Sequence, residues 1–274
     1  MSKRNSQAAK TAARERLRIE REREAKRAKV KRQIIVACSI VGVLAIAGGI
    51  GYAAVQASKP EYWDAAKDDK LVKPANTTGK DGTTVVVGES SAKKTLVMYE
   101  DPRCPVCASF EQAIGESVQK GLDDGKYKVQ FVGATFIDNN VPGEGSRNAL
   151  SALGAALDVS PEAFLDYKAA LYSAKFHPEE TDDKFKDDDY LIEVANSVEA
   201  LKGNKAFQKD VQDGTFDKWA LTMSEKFDAD GEKYGFQGTP TLLMDGKKLT
   251  GADGKNAPMT AEEFNTAIEA ALKA

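Results

Sequence analysis

Cysteine and histidine are scarce in this 274-residue chain, which has three cysteines and one histidine. Cys38 lies inside an apolar run, so the chain after residue 55 contains only Cys104 and Cys107. Two cysteines this close in sequence close a ring too small to remove much chain entropy. The pair therefore does not act as a stabilising disulfide, and it is either chemically reactive or binds a metal.

Ligands for the common metal and haem sites are scarce too. A structural zinc site takes about four ligands, whereas the chain after residue 55 offers two cysteines and one histidine. That histidine, His177, lies 70 residues beyond Cys107 in a Phe-His-Pro sequence and is interpreted as a loop or surface residue. Covalent haem attachment needs a histidine directly after the second cysteine, and residue 108 is alanine. We expect no metal and no cofactor other than a redox-active Cys104–Cys107 disulfide; a non-enzymatic module that binds a metal through the two thiols is the alternative.

Charge is divided unevenly along the chain. Residues 1–32 carry 13 Lys and Arg against 4 Glu, a balance of +9. Because the whole chain has a net charge of −3, the remaining residues together carry −12. Between them, residues 34–55 are uncharged and apolar. As a helix this run measures about 33 Å, enough to cross a hydrocarbon core of about 30 Å.

This pattern predicts a single-pass protein of the cell membrane. Because basic residues flank the inner end of a span, residues 1–33 are predicted to be a cytoplasmic tail and the C-terminal body to be extracytoplasmic. The tail is interpreted as solvated and lipid-facing rather than as a nucleic-acid binder. Val55-Gln56-Ala57 loosely resembles a cleavage site, but residues 34–55 exceed a secretory apolar segment in length, which favours a retained anchor in the lipid bilayer.

Beyond residue 55 the chain alternates between strand and helix patterns, which indicates an α/β fold. Residues 56–82 are polar, with Pro and Gly, and are interpreted as a linker with one short helix. Strand-like alternation predicts strands at 83–87, 95–99, 127–132, 241–244 and 247–250. Apolar spacing of three and four predicts helices at 105–121, 147–157, from 161 onward, 190–200, 205–212, 216–227 and 260–272. The strand, helix, strand order around residue 104 implies a right-handed crossover with parallel pairing.

The sequence Cys104-Pro105-Val106-Cys107 lies at the predicted strand-to-helix turn. A helix N-terminus favours negative charge, so this position lowers the pKa of the Cys104 thiol and favours the thiolate that disulfide exchange requires. Pro105 suits the first helical turn, and Arg103 is expected to add a nearby cation. Cys107, one turn further along, is expected to be more buried and placed to attack a mixed disulfide on Cys104.

A second motif, Gly238-Thr239-Pro240-Thr241, directly precedes a predicted strand, where proline would interrupt pairing unless its peptide bond is special. With the Cys-Pro-x-Cys turn before it, a long helical stretch between them, and a hairpin and final helix after it, the chain resembles the DsbA-like thiol–disulfide oxidoreductases over residues 83–273. The resemblance implies a thioredoxin-like fold for residues 83–274, with an inserted helical subdomain at about 145–233.

The resemblance also implies roles for matching residues. Cys104 corresponds to the exposed nucleophile and Cys107 to the resolving thiol, with Pro105 and Val106 completing the turn. Pro240 corresponds to a cis-proline facing the disulfide, and Thr239 to a residue whose backbone pairs with a substrate strand. The implied partners are exported proteins bearing cysteines and a membrane redox protein that recycles the pair.

The chain departs from the family at two positions. Val106 stands where the strongest oxidants have histidine, which predicts a less oxidising disulfide. Met98 occupies the position six residues before the first cysteine, where thioredoxin-like proteins often bury an acid. Glu100 and Asp101 lie nearer the site, and they either assist proton transfer or belong to an exposed turn.

These features predict a membrane-anchored, extracytoplasmic thiol–disulfide oxidoreductase that exchanges disulfides with exported proteins. One alternative within the same fold is a dedicated thiol reductant, for example of apocytochrome cysteines. The reduction potential separates these two functions.

Overall fold

The computed structural model describes residues 61–274. The predicted cytoplasmic tail (1–33), the predicted membrane span (34–55), Cys38 and the first five residues of the predicted linker lie outside this range. Within the range, no helix combines the length and the hydropathy needed to cross a membrane.

A five-stranded sheet with β2 at its centre organises the domain. The strands are β1 (Val85–Val87), β2 (Thr95–Glu100), β3 (Lys128–Gly133), β4 (Thr241–Met244) and β5 (Lys247–Lys248), in the spatial order β1-β3-β2-β4-β5. β2 and β3 are parallel, which confirms the predicted parallel pairing, whereas β1 and β4 run antiparallel to their neighbours β3 and β2. The carboxyl end of β2 is therefore flanked by the end of β3 and by the start of β4.

Nine α-helices surround this sheet in the part of the chain that the structure describes. They are α1 (Glu61–Ala66), α2 (Pro105–Asp123), α3 (Ile137–Asn140), α4 (Gly145–Val159), α5 (Pro161–Leu171), α6 (Asp188–Ala195), α7 (Lys205–Gln212), α8 (Asp217–Tyr234) and α9 (Ala261–Lys273). Side-chain caps begin two of these helices: the Ser160 hydroxyl accepts the Ala163 N–H at the start of α5, and the Thr260 hydroxyl accepts the Glu263 N–H at the start of α9. Local sequence patterns thus explain where these helices begin.

The inserted region between β3 and β4 comprises α3 to α8, residues 137–234, which is wider than the predicted 145–233. Its central helix, α4, is buried along most of its length. Gly154 allows α8 to approach, since a Cβ there would lie 2.9 Å from the Trp219 ring and 3.0 Å from Phe216. Close packing of α4 against α8 joins the insertion into one apolar core with the sheet.

Residues 61–82, which we name the N-terminal strap, differ from the linker that the sequence predicts. Trp63 on α1 is only 2% exposed, and the indole N–H of Trp219 donates to the Gly82 carbonyl at 2.7 Å. Burial of a tryptophan is worth several kcal/mol, so the apolar residues within this mostly polar segment are enough to hold it on the helical layer. The folded domain therefore extends at least to residue 61 rather than beginning at residue 83.

Candidate active site

The turn between β2 and α2 positions the two cysteines. Cys104 is the N-cap residue of α2, with extended backbone angles, and Pro105 occupies the first helical position. The Cys107 N–H donates to Cys104 Sγ at 3.4 Å, and the structure holds both residues as free thiols. The sulfur of Cys104 therefore takes the place of a capping oxygen and accepts an otherwise unpaired helical N–H.

The loop before β4 lies against this sulfur. Because β4 pairs with β2, with Thr241 opposite Tyr99, the residues preceding β4 reach the end of β2. The Thr239–Pro240 peptide is cis, and Cys104 Sγ lies 3.6 Å from the Thr239 carbonyl oxygen. The two sequence motifs, 135 residues apart, thus meet at one site.

Burial and hydrogen bonding separate the acidities of the two thiols. The hydrogen bond from Cys107 lowers the pKa of the Cys104 thiol despite the opposing effect of burial. Burial raises the pKa of the Cys107 thiol well above its usual value, and the hydrogen bond with Cys104 raises it further. The arrangement therefore favours the thiolate on Cys104 over the thiolate on Cys107.

An apolar collar surrounds the cysteines, consisting of Val106, Phe136, Ile137, Val141 and Tyr172. It leaves Cys104 only 5% exposed and Cys107 fully buried. Cys104 is thus less open than the exposed nucleophile that the resemblance implies, because the collar and the Thr239 loop close around it. Cys104 is nonetheless the more accessible of the two cysteines.

Arg103, which the sequence predicts to add a cation near Cys104, has its charge paired within the insertion. Its side chain is 1% exposed and points into the insertion, where Nη1 lies 2.8 Å from Asp138 and 3.3 Å from Asp183. A second guanidinium nitrogen, Nη2, donates to the Glu180 carbonyl at 2.9 Å. The charge of Arg103 is therefore used to fix the turn to the inserted helices, because a buried guanidinium requires such partners.

Asp101 is buried at the base of the same turn rather than exposed. Its carboxylate accepts hydrogen bonds from the Arg103 N–H at 3.0 Å, the Ser146 hydroxyl at 2.6 Å and the Ile137 N–H at 3.1 Å. Burial raises the pKa of Asp101 to about 7 although these hydrogen bonds lower it. A carboxyl group that titrates near neutral pH beside Cys104 is suited to proton transfer.

Glu100 is also buried, in an ionic cluster formed with Lys168 of α5 and Glu111 of α2. Lys168 Nζ lies 3.0 Å from Glu100 and 2.7 Å from Glu111. Burial opposes the charge of Lys168, but the two carboxylates outweigh it and raise the pKa of the ammonium group. Burial raises the pKa of Glu100, and the charge of Glu100 contributes to the raised pKa of Cys107.

Sequence reasoning missed Lys168, Asp138 and Ser146, which support the site from the insertion. Lys168 had a detectable signal, since it lies four residues after Phe164 on the apolar face of α5, where a lysine needs a buried partner. Asp138 and Ser146 have no comparable local signal, because their partners lie 35 and 45 residues away in the chain.

The only histidine of the chain, His177, is half-buried between the rings of Tyr172 and Phe185. Its Nδ1 lies 3.3 Å from the Leu171 carbonyl, and burial lowers its pKa. It packs behind Tyr172 of the collar, which places it outside the immediate surroundings of the sulfurs.

Comparison with known proteins agrees with this geometry. A family model described as "Thioredoxin" matches residues 80–270. The chain belongs to this thioredoxin family. Disulfide bond formation protein D of Bacillus subtilis is 27% identical over 166 residues, which covers 60% of this chain and 68% of that protein.

Solved structures of thioredoxin-family proteins share the fold. BdbD from Bacillus subtilis in its oxidised form superposes with a TM-score of 0.53 at 23% identity, covering 74% of this chain and all of that one. MdbA, a thiol-disulfide oxidoreductase from Corynebacterium diphtheriae, gives a TM-score of 0.55 at 20% identity, covering 78% of this chain and all of that one. The mixed α/β thioredoxin-like fold with DsbA-like neighbours is thereby established.

Proposed function

We propose that this protein is a membrane-anchored, extracytoplasmic enzyme that exchanges disulfides with exported proteins through Cys104 and Cys107. Its class, protein thiol–disulfide oxidoreductase, is that of the matched relatives and structural neighbours. The single observation that carries the proposal is the meeting of a thiolate-favouring Cys104 with the Thr239–Pro240 loop at 3.6 Å.

The oxidising half-cycle begins with the Cys104–Cys107 disulfide. A substrate thiolate attacks Cys104 Sγ, a mixed disulfide forms, and Cys107 leaves with the electron pair of the broken bond. A second substrate thiolate then attacks the substrate sulfur of the mixed disulfide and releases Cys104 as a thiolate. The substrate loses two electrons to the cysteine pair, and a membrane redox partner would remove them again. In the reverse, reducing direction, Cys107 attacks Cys104 Sγ of the mixed disulfide, releases the substrate thiolate and re-forms the Cys104–Cys107 disulfide.

Proton transfer accompanies this cycle because the pKa of Cys107 lies well above its usual value, so its leaving thiolate takes up a proton. Glu100 and Asp101 are the buried carboxyl groups whose charges act on the two thiols. Asp101, with a pKa of about 7, is able to give or accept a proton at neutral pH. We assign proton transfer at this site to these two carboxyl groups.

A substrate would bind between the collar and the Thr239 loop. An extended peptide is able to pair with the backbone of Thr239, and the side chains flanking its cysteine would contact Val106, Phe136 and Val141, which are partly exposed at the rim of the collar. Backbone pairing is independent of side-chain identity, so this mode suits many different exported proteins.

The membrane part of the proposal rests on the uncharged run at 34–55 and the basic residues before it. In cells, the full-length protein should stay in the membrane fraction after alkaline carbonate extraction, and added protease should digest the domain when only the outer face is accessible. Release by carbonate, or digestion only after the membrane is opened, would contradict the anchor or its orientation.

Replacement of Cys104 by serine tests the enzymatic part. The Cys104→Ser variant should have no detectable turnover in insulin reduction or in oxidation of a dithiol peptide. The sulfur that attacks a substrate disulfide in the first reaction, and that a substrate thiolate attacks in the second, is absent. Ser109→Ala, at an exposed residue of the same helix, is the matched control and should keep wild-type turnover. Wild-type turnover in Cys104→Ser would end the proposal.

A dedicated reductant remains a second candidate on one observation. Val106 supplies no hydrogen-bond donor between the cysteines, so the thiolate has fewer stabilising groups and the disulfide is less oxidising. A reduction potential near or below about −270 mV, the value of thioredoxin, would select this candidate over an oxidase.

A further inference from the structure

Arg147, in the first turn of α4, joins the N-terminal strap to the inserted region. Its guanidinium lies over the Trp63 ring, with Cζ 5.9 Å from the ring centroid. Its Nε lies 3.3 Å from Asp138 Oδ2, and its backbone N–H donates to the same oxygen at 3.0 Å. Arg147 thus connects helix α1 to a fully buried carboxylate.

Asp138 connects onward to the active-site turn. Its other oxygen, Oδ1, accepts from Arg103 Nη1 at 2.8 Å and from the Ser146 N–H at 2.9 Å. Asp138 therefore shares its single charge between two arginines, one of which directly precedes Cys104. In a low-dielectric interior such a group behaves as one electrostatic unit, and displacing one member changes the potential at the others.

We propose that Trp63 and Arg147 are positioning residues for the cysteine pair. Trp63 holds Arg147 against Asp138, and Asp138 holds the turn that ends at Cys104 through Arg103. The N-terminal strap is in this way part of the support of the active site. The proposal rests on the thiol-exchange function stated above.

The packing of α1 explains why Trp63 is needed. A six-residue helix is not stable by itself, so α1 is held chiefly by the burial of Trp63 and Ala66. The Tyr62 side chain is 56% exposed and adds one hydrogen bond, from its hydroxyl to Asp217 at 2.6 Å. Without the Trp63 ring, the Arg147 side chain, which is already 14% exposed, is free to turn toward solvent.

Loss of the Arg147 charge has a definite sign. Asp138 would then be neutralised less completely, and the negative potential around the turn would increase. A more negative surrounding raises the pKa of a thiol. The thiolate on Cys104 stabilises the reduced protein, so a smaller thiolate fraction also makes the disulfide less oxidising.

The test uses the full-length protein with Trp63→Ala and Arg147→Met. Alkylation of Cys104 by iodoacetamide at pH 7 should be about two- to threefold slower in both, since the rate follows the thiolate fraction. The reduction potential, measured against glutathione buffers, should become more negative. Trp63→Phe retains an aromatic ring and Arg147→Lys retains the charge, so both should restore the rate toward wild type, the lysine less fully because it lacks a planar guanidinium.

Tyr62→Phe is the matched control. It removes the hydroxyl that bonds Asp217 from the same helix and leaves the Trp63–Arg147 contact in place, so the alkylation rate should equal that of wild type. In the double variant, Trp63→Ala should add nothing to Arg147→Met, because both act through the same guanidinium.

Rates are compared on protein whose near-ultraviolet circular dichroism is native. Wild-type rates and potentials in folded Arg147→Met, or an equal change in Tyr62→Phe, would overturn the proposal. If Trp63→Ala does not fold, the comparison of Arg147→Met with Arg147→Lys decides the result. Failure of the thiol-exchange function would appear separately, as full turnover in Cys104→Ser.

Discussion

Two sulfurs one helical turn apart behave differently because one lies at the end of a helix and the other inside it. Cys104 accepts the Cys107 N–H and contacts the Thr239 loop, whereas Cys107 is fully buried in the collar. Helix position favours a negative charge on the first sulfur, and burial opposes it on the second. A single exchange-competent thiolate follows from this asymmetry.

The pH dependence of alkylation measures that asymmetry. Because the pKa of Cys104 is lowered, its alkylation rate in the reduced protein should rise with pH and have its inflection below about 8.5, the usual thiol value. Cys107, whose pKa is raised, should stay unmodified over this range. Mass spectrometry of peptides alkylated between pH 4 and pH 9 gives both profiles.

Unfolded protein is the control for this profile, since both cysteines should then be modified alike with an inflection near about 8.5. Equal labelling of Cys104 and Cys107 in the folded protein would contradict the assignment of the reactive sulfur.

Among the secondary-structure elements, α5 has a role that its place in the insertion does not suggest. Its Lys168 binds Glu100 at the end of β2 and Glu111 on α2. The same ammonium lies 5.2 Å from the centroids of the Phe131 and Tyr172 rings. One buried cation thus joins the strand that leads to the active-site turn, the helix that follows it and the insertion.

Lys168→Met should destabilise the domain by about 3–5 kcal/mol, because it leaves the buried carboxylate of Glu100 and the partly buried carboxylate of Glu111 without a cation. Urea unfolding at pH 7 measures the loss. Glu100→Gln added to Lys168→Met should recover part of it by removing one unpaired charge. Lys209→Ala, which breaks an exposed pair with Asp213, should cost less than about 1 kcal/mol, and a similar small cost for Lys168→Met would contradict the buried cluster.

The helices and strands were predictable to the extent that their signals are local. Residues 205–212 and 241–244 agree with the predicted bounds, since a cap, an apolar period or a proline fixes each of them. The cysteine turn and the Thr239–Pro240 loop were identified from their motifs. The ion pairs of Arg103 and Lys168 were not predicted, because their partners lie in other elements and no local pattern indicates such contacts.

On the scale of the whole molecule, the N-terminal strap changes where the domain begins. The composition of residues 61–82 is that of a linker, yet Trp63 and Ala66 are buried and Asn76 donates to the Leu157 carbonyl at 2.8 Å. A few well-placed apolar residues are enough to fold a polar segment onto a surface, which average composition does not register. The predicted span ends at residue 55, so only five residues separate it from α1.

A chain that starts at residue 83 should therefore be much less stable than one that starts at residue 57. Loss of the buried Trp63 side chain alone is worth about 3–5 kcal/mol. Urea unfolding of the two purified chains under the same conditions measures the difference. Equal stability would mean that the strap contributes nothing to the fold.

The central claim is that Cys104 forms the covalent link to a substrate and that Cys107 resolves it, and trapping with a cysteine-containing peptide tests it most directly. Cys107→Ser, reacted with a peptide whose cysteine carries an activated disulfide, should accumulate a mixed disulfide at Cys104 that mass spectrometry locates, because the resolving sulfur is gone. Wild-type protein should release the same adduct and form its own Cys104–Cys107 disulfide. A stable adduct on Cys107 in the Cys104→Ser variant, together with no adduct on Cys104 in the Cys107→Ser variant, would contradict the account.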